Sequence, residues 1–162
     1  MTAEELFVDV ALRAWKTNID RFEGFYRDLP EEQLEQEIAP GRNRLIYLLG
    51  HMAAVHDRMI PLLGIGSRLH PELDEVFISS PDRSVASSLS AAALKEILVE
   101  VDGALWKAFA QWSPADWLAR HTAVSEEEFV REPHRNRFSV LLSRTTHMAS
   151  HQGQVILATP RA

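Results

Sequence analysis

The 162-residue sequence contains no cysteine. That absence removes disulfides, thiolate nucleophiles and every cysteine-based zinc or iron–sulfur site, so any metal must be held by His, Asp or Glu. Glycine and proline are sparse, 7 and 8 residues, which excludes collagen-like and low-complexity chains. A basic excess is also missing. Seventeen Lys and Arg are scattered among 23 Asp and Glu for a net charge of −6, whereas phosphate binding needs clustered cations, so nucleic acid is not an expected partner. No apolar run approaches the ~20 residues of a membrane span, because "LIYLLGHMAA" is broken by His51 and followed by His56, Asp57 and Arg58. The start, "MTAEELFVDV", carries neither a positive n-region nor a signal-like core, and a cytoplasmic location is expected.

What is present is ordinary for a packed globule: 46% hydrophobic and 25% charged residues. The length suits one domain over residues 1–162. Helical periodicity dominates, with no sustained alternation, so the predicted class is all-α. Thr2 and Glu5 have capping-box spacing ahead of Leu6, Val10, Trp15, Ile19, Phe22 and Tyr26, and the first helix is expected to end near Pro30. A second helix is predicted over 43–63 with a broad apolar face. A third is predicted from Ser90 to about Trp112, then a short turn that Ser113 and Asp116 would cap, and a last helix from about Asn136 to Ala158 with Pro160 closing the chain. Four long helices with long connections between the second and third and the third and fourth describe a four-helix bundle. The breaker-rich stretch 67–84 reads as an irregular connection, a candidate lid, and "AVSEEEFV" admits a short extended piece.

The chemistry-bearing residues are histidines. His147 and His151 are four apart, a spacing that brings two imidazoles to one helix face and one metal, or simply leaves two polar residues on a wet edge. On a helical wheel the pair flanks the apolar face of the last helix, in line with Val140, Arg144 and Ala158, while His51 lies at the margin of the second helix's apolar arc. His56 lies nearer the centre of that arc, and its five-residue step from His51 makes a shared metal unsuitable. Spacing alone does not choose between His51 and His56. A core histidine with one hydrogen-bond partner is the plainer reading of His56, and His70, His121 and His134 fall in connections as surface residues.

The segments "NRLIYLLGHMAAVHDRMIPLLGIG" and "LSRTTHMASHQGQVILA" together resemble the DinB-like, or YfiT-like, superfamily of metal-dependent hydrolases. The resemblance implies a four-helix bundle with a three-histidine metal site, one ligand in the second helix and two in an HxxxHxGQ motif of the last. Carried over to this sequence, it makes the ligands His51, His147 and His151, and maps His56 onto no family role. By position on the last helix, Gln154, one turn beyond His151, could orient a ligand, and Arg144, one turn before His147, could meet an anionic substrate, although a simple ion pair with an acid is the favoured reading; His56 stands as a further neighbouring candidate. The role of Asp57 stays open. Three imidazoles leave coordination positions free, a catalytic pattern, and suit zinc first and nickel next. Met148, Ala149 and Ser150 replace the glutamate of an HExxH protease. Family resemblance further implies either transfer of a low-molecular-weight thiol to a small molecule, in detoxification or stress response, or hydrolysis, and a homodimer. The alternative is a non-catalytic bundle, metal-stabilised or metal-free, acting as a dimeric ligand-binding module.

Overall fold

The computed structural model describes residues 1–158. Four long helices carry the fold: α1 (Ala3–Asp28), α2 (Leu45–Leu62), α4 (Ala91–Phe109) and α7 (Arg137–Ala158). Between them lie α3 (Leu73–Phe77), α5 (Pro114–Leu118) and α6 (Glu126–Arg131), and no strand occurs among the described residues. The all-α bundle expected from periodicity is the observed architecture. Pro160, expected to close the last helix, lies outside the described residues.

The starts are set by side-chain caps, which satisfy amides that a helix leaves without intrahelical partners. Thr2 and Glu5 form the capping box of α1, and Ser113 and Asp116 that of α5. Ser125 and Glu128 form a third. This corrects the extended reading of "AVSEEEFV": the segment turns into α6, because a serine followed three residues later by glutamate stabilises a helix start.

Neighbouring pairs are α1 with α4, α4 with α2, α2 with α7, and α7 with α1. The interior is filled by Trp15, Phe22 and Tyr26 of α1, Leu48, Met52 and Met59 of α2, Leu98 and Phe109 of α4, and Leu141 and Met148 of α7. Each such side chain contributes about 1.5–3 kcal/mol of burial. The first turns of α1 depart from the sequence expectation, since Leu6 and Val10 sit on the surface beside the exposed Phe7.

The connection after α2 runs back along that helix. Asp57 holds its near end, accepting from Arg68 Nε at 2.8 Å and from the amides of Leu69 and His70 at 2.8 and 3.1 Å. Tyr47 donates to the Ser80 carbonyl at 2.7 Å, and Arg44 pairs with Asp82 at 2.6 Å. The segment is thus a strap stitched to α2 over its whole length, which explains why α2 is buried on almost every side.

Candidate metal centre

Two helices bring the three histidines together. His51 sits in the middle of α2, and α7 supplies His147 and His151 from successive turns. His147 Nε2 lies 3.5 Å from His51 Nε2 and 3.1 Å from His151 Nε2, and the donor atoms of all three lie within 4.8 Å of one another. The outer nitrogens of two rings are committed elsewhere. His51 Nδ1 donates to the Phe77 carbonyl at 2.8 Å, and His151 Nδ1 donates to Gln154 Oε1 at 2.8 Å. A proton on each Nδ1 leaves the Nε2 lone pair aimed at the shared centre.

These residues fit a divalent cation. Tetrahedral bonds of about 2.0–2.1 Å place neighbouring nitrogens roughly 3.4 Å apart, and right-angled ones roughly 3.0 Å; the 3.1 Å approach falls within that range and the 3.5 Å approach just beyond it. Lone pairs at such separations repel unless a proton or a cation lies between them. His147 Nδ1 is buried with no hydrogen-bond partner. Burial, then the neighbouring His151, His51 and Arg144, push the His147 imidazole down to about 4. Burial also lowers His51, against the opposing pull of the Phe77 carbonyl. Both rings are therefore neutral near pH 7, the state in which imidazole ligates metal.

The DinB superfamily model matches residues 14–155, a span that contains all three histidines. This chain belongs to the DinB superfamily. A crystal structure of a conserved protein from Enterococcus faecalis has the same fold, with a TM-score of 0.64 at 17% identity over 98% of each chain. No curated protein matches.

Around this DinB-superfamily centre the other candidates separate. Gln154 accepts from His151 and so touches the histidine cluster through that ring. Arg144, one turn before His147, takes no acid partner among the described residues, against the expectation of a simple ion pair. His56 is the core histidine that the plainer reading described: fully buried, it packs on Trp15 and donates from Nδ1 to Asp102 at 2.6 Å. Asp57 serves the strap, not the metal site. His70 bridges Glu72 and Glu100 at 3.0 and 3.1 Å, away from the triad.

Three polar groups were absent from the sequence reading, and of these the first alone touches the triad. The Phe77 carbonyl fixes the His51 ring, and backbone atoms leave no signature in sequence. Asp102 was detectable as a carboxylate within the apolar stripe of Leu98, Val101 and Leu105. Glu23 of α1 lies near Asp102, and burial first, then that carboxylate, raise it to about 7.

Proposed function

We propose that this DinB-superfamily chain is a divalent-metal enzyme that activates a low-molecular-weight thiol and transfers its sulfur to a small electrophilic molecule. The supporting observation is the convergence of three Nε2 atoms with, among the described residues, no carboxylate hydrogen-bonded to any of the three rings. His51, His147 and His151 would hold the ion, zinc first and nickel next, since the set contains no softer ligand. A divalent ion on three neutral imidazoles keeps positions open and lowers the pKa of a thiol or water toward neutrality.

The neighbours of the triad favour thiol transfer over hydrolysis. A thiol, with its ordinary pKa near 8.5, reaches the nucleophilic thiolate by a modest shift alone. Hydrolysis also requires a group that takes and returns protons, and the polar partners of the triad are an amide side chain and a backbone carbonyl. In the transfer, the thiolate sulfur forms a bond to carbon while the leaving group departs with the electrons of its own bond. The chain's share of the work is orientation: Phe77 and Gln154 fix two rings, and the strap fixes Phe77. The proposal includes a cytoplasmic setting and a homodimer. The described helices support the former only in that none is long and apolar enough to cross a membrane.

The test uses protein loaded with cobalt(II) or nickel(II). Addition of a low-molecular-weight thiol is expected to produce a sulfur-to-metal charge-transfer band, and the thiol should then be consumed by an activated haloarene with release of halide. A loaded protein that shows neither band nor halide release would overturn the transferase reading.

A further inference from the structure

Arg144 is a half-buried cation without a counter-ion among the described residues. Its Nε is buried, and it makes no hydrogen bond or ion pair among the described residues. Leaving a buried charged donor unpaired is costly, and native structures satisfy such groups or use them. Burial and the nearby Arg58 both act against its charge. Arg58 offers no relief, because its own partner Asp74, at 2.7 Å, is shared with Arg68.

Arg144 also stands close to the triad. It lies one helical turn before His147 on α7, and its charge acts on both His51 and His147. His147 Nδ1 is a second buried polar atom without a partner. With Nε2 turned to the ion, that nitrogen carries a proton, so two adjacent side chains of α7 each present a donor lacking an acceptor. A divalent ion on neutral imidazoles would bring two further positive charges, and among the described residues no carboxylate contacts the rings to offset them.

We propose that Arg144 is an anion-binding subsite beside the metal centre, and that the thiol used there carries a carboxylate close to its sulfur. A guanidinium suits this role, since its planar fork matches the two oxygens of a carboxylate. The inference rests on the metal-enzyme reading and narrows its substrate class.

The experiment compares two thiol pairs that differ only in a carboxylate against a hydroxyl: thioglycolate with 2-mercaptoethanol, and 3-mercaptopropionate with 3-mercapto-1-propanol. Binding to cobalt-loaded wild type, Arg144→Gln and Arg144→Lys is read from the charge-transfer band, after metal content and helicity are shown to be equal. Chelation by the carboxylate cancels between variants. In at least one pair, the carboxylate preference of wild type is expected to fall on the order of tenfold or more in Arg144→Gln, with Arg144→Lys between and the neutral thiols unchanged. Equal preference in wild type and Arg144→Gln for both pairs would overturn the subsite while leaving the metal reading intact.

If wild type binds no metal, the functional reading fails separately, and the subsite is read on metal-free protein by NMR of the arginine Nε–H groups. Titration with acetate should then shift the Arg144 resonance and not that of the acid-paired Arg44. No shift would overturn it.

Discussion

At the scale of single residues, one group governs a pH response away from the triad. Glu23 is raised to about 7 in the fold from an ordinary 4.5, mainly by burial. The neutral form is therefore favoured by folding. Its contribution to stability is complete below about 4.5 and is lost as pH rises through 7. Lys16, Asp20 and Asp102 face the same group, and the half-exposed setting screens the effect. The urea midpoint of wild type is expected to decline from pH 5 to pH 8 more steeply than that of Glu23→Gln, and parallel profiles would contradict this assignment. Asp102→Ala tests the buried pair differently. It leaves His56 Nδ1 without its acceptor and should lower stability by about 1–3 kcal/mol in equilibrium unfolding.

At the scale of elements, the strap controls the site through one carbonyl. Gly50 of α2 lies against the Phe77 ring, and a Cβ at that position would collide with it. Gly50→Ala should therefore push α3 away, weaken the His51 to Phe77 hydrogen bond, and cost about 1–3 kcal/mol by overpacking. Isothermal titration is expected to show weaker metal binding with unchanged stoichiometry. The long helices were legible because their apolar residues recur every three or four positions and their caps are local, as Thr2, Ser90 and Ser113 show. The path of residues 67–84 was not. It depends on Asp57, Tyr47 and Arg44 meeting partners 11–38 residues away, and periodicity carries no information about such pairs. The same long-range dependence concealed the acceptor of His51.

At the scale of the whole molecule, the triad itself was half legible. The i, i+4 pair on the last helix follows from local geometry, but choosing His51 over His56 required the family motif. The fold supplies the reason: His56 points inward to Asp102 and Trp15, whereas His51 faces α7. The surface of α1 carries another consequence. Leu6, Phe7 and Val10 are 48%, 66% and 57% exposed, an apolar group suited to pairing two copies. Light scattering of wild type at micromolar concentration should give a dimer mass and that of Phe7→Glu a monomer, and a wild-type monomer would contradict the proposed homodimer.

The central claim is that three imidazoles hold one divalent ion. Its most direct measurement is elemental analysis of protein purified without an affinity tag, for wild type and for the variant carrying His51→Ala, His147→Ala and His151→Ala. Close to one equivalent of zinc or nickel in wild type, absent from a folded variant, is the result expected of this centre. A wild-type protein that takes up neither ion, even after reconstitution with both, would contradict it.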